Sequence, residues 1–348
     1  MTTLSAFLAT AVEPGGGSLG LSILAVFGGL FLLSVGGESL VSGASRLALH
    51  FRLTPTVIGL TVVAAGTSLP ELVVSVIAQY KGSADLAVGN VIGSNTFNIG
   101  MVLGVLALFK SLPIPGSTAK LEFPVLLVVT LAIYPLALGS AGATGVFSRP
   151  EGIGMLIALI VFIAVTIRVA RKQVTREEAS QFEEEVSEVS GVDLNPDIPL
   201  AWAIGQVVLG AAGLWLGGKW LIDGSVGVAQ IFEVPERIIA VTIVAGGTGA
   251  PELVASIIAL RRGKGDLAVG NVIGSNLFNL LGILGCASVV SPLAASKEIM
   301  NWDYFWMAGI TLLLIPFFFR SSPGIRRLEG GLILGAYVGY IASLIIRG

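Results

Sequence analysis

The sequence predicts an all-α integral membrane protein with ten transmembrane helices, arranged as two inverted-topology repeats of five helices. Composition is the first reason. Of 348 residues, 54% are hydrophobic and 12% are charged, and the mean hydropathy is +0.90. A soluble domain of average composition has about 25% charged residues. The second reason is a long motif that occurs twice, so we expect the chain to be a duplicated membrane unit.

The duplicated motif occupies residues 66–98 and 247–279. The first copy reads GTSLPELVVSVIAQYKGSADLAVGNVIGSNTFN, and the second reads GTGAPELVASIIALRRGKGDLAVGNVIGSNLFN. The copies keep a constant offset of 181 residues, and from Asp85 onward they differ only where Thr96 is replaced by Leu277. Such a close duplication predicts that both halves contribute to the functional core.

Ten apolar segments are long enough to cross a hydrocarbon layer of ~30 Å, which takes about 20 residues of helix. They cover residues 19–47, 55–80, 86–109, 121–138, 152–171, 200–222, 237–260, 267–290, 302–319 and 328–346. We therefore predict a first repeat over residues 1–171, a linker over residues 172–199 and a second repeat over residues 200–348.

Basic residues predict the orientation, because short cytoplasmic loops are enriched in Lys and Arg. With the N-terminus outside, fourteen of the twenty basic residues lie on the inner side. Both termini are then expected outside, and the linker, which carries eight acidic residues, in the cytoplasm. Five crossings per half is an odd number, so the second repeat enters the membrane inverted, as in many secondary transporters. The expected location is the cell membrane (inner or plasma membrane).

Each copy of the motif places a glutamate directly after a proline inside an apolar run. Proline has no N–H to donate to the carbonyl four residues back, so Pro70 frees the oxygen of Gly66 and Pro251 that of Gly247. An unpaired backbone oxygen is unfavourable in hydrocarbon unless it faces a cavity or a ligand. A cation is the ligand that such an oxygen would attract.

The side chains around each proline are hard oxygen donors. Residues four apart share a helix face, which groups these donors in each half: Thr67, Glu71, Ser94 and Asn98, and Thr248, Glu252, Ser275 and Asn279. Such a set suits Ca²⁺, Na⁺ or Mn²⁺ and argues against Zn²⁺ or Cu⁺. Two carboxylates would be neutralised by one Ca²⁺ or two Na⁺, so competition for one pocket would give coupled exchange.

Placing the two glutamates in a membrane is also energetically unfavourable. A carboxylate in mid-membrane costs on the order of 3 kcal/mol even on lenient scales. Glu71 and Glu252 at matched positions therefore predict a functional site. In the first predicted helix Glu38 could be a further ion contact, but its counterpart is Lys219, so it stays unassigned.

Two pairs of glycines predict close helix packing. Gly89 and Gly93, with their counterparts Gly270 and Gly274, form GxxxG pairs that allow helix backbones to approach. We expect these glycines to have a structural role in helix packing.

The motifs GTSLPE at Gly66 and GTGAPE at Gly247, each followed by GNVIGSN, resemble the two alpha repeats of the sodium/calcium exchanger family, in its prokaryotic type with a short central loop. This resemblance covers nearly the whole chain. It implies Glu71 and Glu252 as central ligands. It implies main-chain ligands at Thr67, Thr248, Ala64 and Ala245, and sodium positions lined by Ser68, Ser94, Ser275 and Asn98.

Two positions depart from the family pattern. Gly249 stands where the second repeat commonly carries serine, so one hydroxyl expected at a sodium position is missing. That position is expected to bind sodium weakly or to hold a water in the gap. Asn279 stands where the second repeat commonly carries aspartate, so it cannot ionise.

The first functional hypothesis is an antiporter that exchanges Ca²⁺ for Na⁺ by alternating access, with no resident cofactor. The alternative is a H⁺-coupled or Mn²⁺-carrying exchanger. A membrane enzyme is disfavoured because the site lacks paired His, an Asp dyad and a Ser-Lys arrangement, and symmetric broken helices suit a channel less than alternating access. The expected partners are Ca²⁺, Na⁺ or H⁺, and the lipid bilayer. The net charge of −2 gives no reason to expect nucleic acid.

Overall fold

Helices form almost all of the regular structure. The computed structural model describes residues 19–51, 53, 55–139, 145–173, 199–232 and 245–347. Within these ranges, seven helices are long and apolar enough to cross a membrane, and the bent pair Thr56–Thr67 and Leu69–Tyr80 passes the same test when its two helices are taken together. The prediction of an all-helical, multi-pass protein is confirmed. The count of ten stays a prediction, because the segment predicted at 237–260 begins outside the described residues, as does most of the acidic linker.

Over its described residues, the first half contains eight α-helices. They are α1 (Leu19–Phe51), α2 (Pro55–Ile58), α3 (Ala64–Thr67), α4 (Leu69–Tyr80), α5 (Ala84–Phe97), α6 (Gly104–Phe109), α7 (Phe123–Gly139) and α8 (Arg149–Gln173). Single turns of π-helix cover Gly59–Val63, Asn98–Leu103 and Thr118–Glu122. Such turns are rare and occur frequently at functional sites.

The second half repeats this order over the residues that are described. Its helices are α9 (Leu200–Ile231), α10 (Ala245–Thr248), α11 (Ala250–Arg261), α12 (Gly265–Leu277), α13 (Leu284–Val290), α14 (Tyr304–Leu313), α15 (Ile315–Phe318) and α16 (Arg327–Arg347). Its π-helical turns cover Phe278–Ile283 and Ile299–Asp303.

Two short antiparallel ribbons join the halves. The strand β1 (Leu112–Pro113) pairs with β4 (Gly324–Ile325), and β2 (Gly145–Phe147) pairs with β3 (Leu293–Ala295). Each ribbon takes one strand from each half. The halves are therefore linked at both ribbons by backbone hydrogen bonds as well as by helix packing.

The long helices α1 and α9 pack antiparallel through glycines seven residues apart. A Cβ added at Gly29 would lie 2.8 Å from the carbonyl oxygen of Gly217, and one added at Gly36 would lie 2.9 Å from that of Gly210. Gly210 and Gly217 are the counterparts of Gly29 and Gly36. The contacts are thus reciprocal, as in a two-fold symmetric interface. Equivalent helices of the two halves run in opposite directions here.

The predicted breaks at the two prolines are confirmed. The first half bends by 47° between α3 and α4, at Ser68. The second half breaks between α10 and α11, at Gly249, and the two break residues have nearly the same backbone angles, φ −86° and ψ 5° for Ser68 and φ −87° and ψ 3° for Gly249. In both halves proline follows two residues later, where its missing N–H does not interrupt the new helix.

The predicted close approach is confirmed for one pair of glycines. A Cβ at Gly270 would lie 2.6 Å from the carbonyl oxygen of Thr56, and one at Gly274 would lie 2.5 Å from that of Leu60. Helix α12 therefore packs directly on the backbone that leads into the first break. For Gly89 and Gly93 the matching neighbours, residues 237–241, lie outside the described ranges.

Candidate ion-binding site

The two predicted carboxylates lie in equivalent, buried places. Glu71 is in the first turn of α4 and Glu252 in the first turn of α11, and each is 1% exposed. The positive end of a helix dipole favours a negative charge in its first turn. Ser68, which lies three residues before Glu71, donates a hydrogen bond to Glu252, so the two carboxylates lie near each other. The break after each short helix thus brings both carboxylates to one buried centre.

Glu252 has hydrogen-bond donors from the first half. The Ser68 hydroxyl donates to Oε1 of Glu252 over 3.2 Å, and the Thr67 hydroxyl lies beside this carboxylate. Thr67 Oγ1 is also 3.4 Å from Ser275 Oγ and donates to the carbonyl oxygen of Ala64 over 3.3 Å. The predicted residues Thr67, Ser68, Ser275 and Glu252 are therefore brought together.

Glu71 has fewer partners. Apart from its own main chain, nothing in the described residues donates a hydrogen bond to either carboxylate oxygen of Glu71. The same is true of the second oxygen of Glu252 and of the side-chain oxygens of Asn98, Asn276 and Asn279. Buried polar atoms almost always have partners. These unmatched atoms are oxygens of the type that a hard cation binds, so the donor set fits Ca²⁺ or Na⁺ as substrate.

The two halves also meet through asparagines. Asn95 Nδ2 donates to the carbonyl oxygen of Asn276 over 3.2 Å, and Asn276 Nδ2 donates back to that of Asn95 over 3.4 Å. Asn279 Nδ2 donates to Asn95 Oδ1 over 2.9 Å, which leaves Oδ1 of Asn279 for another partner. This reciprocal pair lies where a two-fold axis between α5 and α12 would pass.

Sequence reasoning missed Asn95 and Asn276, and it also missed a second pair of asparagines that brace the site. Asn90 Nδ2 donates to Ser75 Oγ, and Asn271 Nδ2 donates to Ser256 Oγ, both over 2.9 Å. These bonds tie each glutamate-bearing helix to the helix that follows it. The signal was present, because Asn90 and Asn95 lie in the stretch that is almost unchanged between the copies.

The other predicted residues have more peripheral or less defined places. Ser94 is buried one turn before Asn98, and Thr248 lines a cavity beside the second break. The carbonyl oxygen of Ala64 already accepts hydrogen bonds from the Ser68 amide and the Thr67 hydroxyl. Ala245 begins α10, and its surroundings fall at the edge of the described residues.

The gap expected at Gly249 is filled. A Cβ placed on Gly249 would overlap Cδ1 and Cε1 of the Phe97 ring and lie 3.2 Å from its Cγ. The expectation that a water substitutes for the missing hydroxyl is wrong, because an aromatic ring occupies that space.

Access to the centre differs between the two sides. A cavity of about 390 Å³ runs between α4, α9 and the second break, with Lys81 and Ser83 at one end and Thr248 among its lining residues. On the opposite side, Arg262 donates to the carboxylate of Glu38 and to Ser42, and Lys264 donates to Ser45 Oγ over 2.6 Å. The cavity therefore reaches the second break from the side of Lys81, whereas on the side of Arg262 charged side chains are bonded to α1.

Three known proteins that this chain resembles are antiporters or exchangers by name. The chain is 37% identical to the putative antiporter CaxA of Alkalimonas amylolytica, over 90% of this chain and 95% of that protein. It is 29% identical to the sodium/calcium exchanger MaX1 of Methanosarcina acetivorans, over 91% of this chain and 96% of that protein. A solved structure of the sodium-calcium exchanger NCX_Mj, soaked with Na⁺ and Sr²⁺, superposes with a TM-score of 0.77 at 30% identity, over 94% of this chain and 99% of that one.

The family assignment depends on both halves of the chain. The sequence profile of the sodium/calcium exchanger protein family matches residues 21–168 and 202–346, which are the two repeats without the linker. Its matched ranges contain both break residues, both glutamates and the asparagines that join the halves. The chain belongs to the sodium/calcium exchanger family and is a multi-pass membrane antiporter of that family.

Proposed function

We propose that this protein exchanges Ca²⁺ for Na⁺ across the cell membrane by alternating access. The buried pair Glu71 and Glu252, whose oxygens are largely unmatched, is the observation that carries the proposal. A fixed charge of −2 in a buried centre requires positive charge, which one Ca²⁺ or two Na⁺ supply. The printed names of MaX1 and NCX_Mj support the same pair of ions.

The ligands in this proposal come from both repeats. Glu71 and Glu252 bind Ca²⁺ with Thr67 and Thr248, and the main-chain oxygens of Ala64 and Ala245 contribute beside them. The flanking sodium positions are lined by Ser68, Ser94, Ser275, Asn98 and Asn279. Because sites built at broken helices expose backbone oxygens, this arrangement allows an ion to be released by a small movement of either helix.

The proposal includes ten helices in two inverted repeats, with both termini outside and the linker 172–199 in the cytoplasm. The antiparallel packing of α1 on α9 and the reciprocal bonds of Asn95 and Asn276 support the inversion. The excess of Lys and Arg on the side of Arg262 supports the orientation. In this orientation the cavity beside Lys81 opens to the outside.

Flux into proteoliposomes tests the function. With purified protein, uptake of radioactive Ca²⁺ should follow an outward Na⁺ gradient and should be small without one. Uptake that follows a pH gradient and does not depend on Na⁺ would show that H⁺, not Na⁺, is the counter-ion. Competition by excess Mn²⁺ distinguishes a Mn²⁺ carrier, and unsaturable downhill flux without a counter-ion gradient would indicate a channel.

The contacts of Glu38 predict a conformational preference. Glu38 and Arg262 attract each other, whereas their counterparts Lys219 and Lys81 carry like charges and both line the open cavity. Closing the Lys81 side brings these like charges together, with Asp223 nearby as a partial offset. The charge pattern therefore favours the state that is open towards Lys81.

Replacing Glu38 by lysine should shift this preference. In a Cys286→Ala background, Ile222→Cys in the cavity should react with an impermeant thiol reagent in intact cells, and Glu38→Lys should slow that reaction. The ~1 kcal/mol that an exposed ion pair contributes corresponds to a slowing of at most about fivefold. Glu298→Lys, at an exposed position, is the control. Equal rates in all variants would show that Glu38 does not set the conformational preference. Reaction only in inverted vesicles would show that the proposed orientation is wrong.

A further inference from the structure

The two halves provide an internal comparison at their break residues. Ser68 and Gly249 are counterparts and share the same backbone conformation. The Ser68 hydroxyl donates to Glu252. By the pseudo-two-fold relation, a hydroxyl at position 249 would face Glu71, whose oxygens have no side-chain donor in the described residues. The pocket is therefore asymmetric beside its two carboxylates.

Side-chain size explains why the ring of Phe97 lies on Gly249. Its counterpart Phe278 has its ring 3.5 Å from where a Cβ on Gly282 would lie, one turn along its own helix. The residue equivalent to Gly282 in the first half is Met101. A methionine leaves no such place for the Phe97 ring, which packs instead across the interface on Gly249. Around Phe97, the large residue Met101 lies on its own helix and the small residue Gly249 lies across the interface. Around Phe278 the order is reversed, because the small residue Gly282 lies on its own helix and the larger Ser68 is the counterpart of Gly249.

The Phe97 ring is held firmly where it lies. It is 5% exposed and makes an edge-on contact with the ring of Tyr337, with centroids 5.8 Å apart. Tyr337 in turn packs on Gly100, so that a Cβ there would lie 2.6 Å from Cβ of Tyr337. Moving the ring would disturb α16 as well as the break. A well-packed interior resists such a shift.

The ring offers no oxygen ligand to a small cation. The atoms nearest the Cβ position of Gly249 are the ring carbons Cδ1 and Cε1. A cation that entered beside Glu71 would lose hydration without gaining an oxygen ligand from position 249. On the other flank the Ser68 hydroxyl supplies that oxygen.

From this geometry we propose that Phe97, with Met101 and Gly249, is a specificity determinant that closes the flank of the pocket beside Glu71 to a monovalent cation. The flank beside Glu252 stays available. This inference rests on the proposed function and adds to it that fewer monovalent ions are exchanged for each Ca²⁺ than a symmetric pocket would allow.

The double variant Phe97→Ala/Gly249→Ser tests the inference, because it removes the ring and adds the hydroxyl of the other half. The coupling ratio is measured in proteoliposomes as the monovalent-ion gradient at which net flux of radioactive Ca²⁺ vanishes at a fixed voltage. We expect the ratio to rise by the one cation that the rebuilt flank accepts. Purified protein without Ca²⁺ should also show a larger rise in Tm with added Na⁺ than the wild type does.

Three further variants serve as an alternative to the double variant and as its controls. Met101→Gly/Gly249→Ser copies the second half's layout and should raise the ratio if the first double variant does not fold. Gly249→Ser alone should lose stability and keep the wild-type ratio, because the ring still fills the flank. Phe278→Ala, the matched control, should also keep that ratio.

A folded, active double variant with the wild-type ratio and Na⁺ response overturns the inference, as does an equal increase in Phe278→Ala. Failure of the proposed function looks different, because wild-type protein would then show no exchange with either Na⁺ or H⁺. If H⁺ drives exchange, the same ratio and Tm measurements are made against pH, and an unchanged ratio again overturns the inference.

Discussion

Replacing Glu71 or Glu252 by glutamine is expected to abolish Ca²⁺ exchange while the protein still folds in the membrane. At 4 Å and an effective dielectric constant of about 20, each pair of unit charges interacts by about 4 kcal/mol. One such pair alone is worth about 1,000-fold in affinity, and a carboxylate makes two with divalent Ca²⁺, so losing one carboxylate should weaken Ca²⁺ binding by at least on the order of 1,000-fold. The protein without ions should be no less stable, because glutamine removes a buried charge.

Two measurements on the glutamine variants check this expectation. Uptake of radioactive Ca²⁺ should fall to background, and the rise in Tm that Ca²⁺ produces in the wild type should disappear. Asn98→Ala should have a smaller effect because it deletes a neutral ligand, and Glu298→Gln, at an exposed position, should have none. Substantial Ca²⁺ exchange by well-folded Glu71→Gln protein would exclude this pocket.

Replacing Gly217 by valine is expected to prevent stable packing of α1 on α9. A Cβ at Gly217 would lie 2.7 Å from the backbone nitrogen of Leu33 and 2.9 Å from the carbonyl oxygen of Gly29. Both atoms belong to the backbone of α1, so no side-chain rotation relieves the overlap. Overpacking typically costs 1–3 kcal/mol, and a clash with backbone should reach or exceed ~3 kcal/mol.

The same helix provides the matched control for Gly217→Val. An added Cβ at Gly205 would have no neighbour within 4 Å among the described residues. Gly205→Val should keep the wild-type Tm and a single peak in size-exclusion chromatography, whereas Gly217→Val should lower the Tm or aggregate. If both variants behave alike, the close approach of the two helices does not limit stability.

Much of the fold and half of the site could be predicted because the signals are local. Proline cannot donate a hydrogen bond wherever it lies, so Pro70 and Pro251 specify the breaks at Ser68 and Gly249. A carboxylate in an apolar run is unfavourable in every fold, which identified Glu71 and Glu252. The constant offset of the two motifs made each half a guide to the other.

The remainder depends on which segments come together in space. The sequence by itself determined the membrane class, the duplication, the broken helices and a site of hard oxygen ligands. Only the tertiary structure decided that Asn95 meets Asn276, that Glu38 meets Arg262, and that the ring of Phe97 covers Gly249. These partners are more than 150 residues apart in the chain, and their contacts follow from the crossing and close packing of helices, which periodicity and composition do not specify.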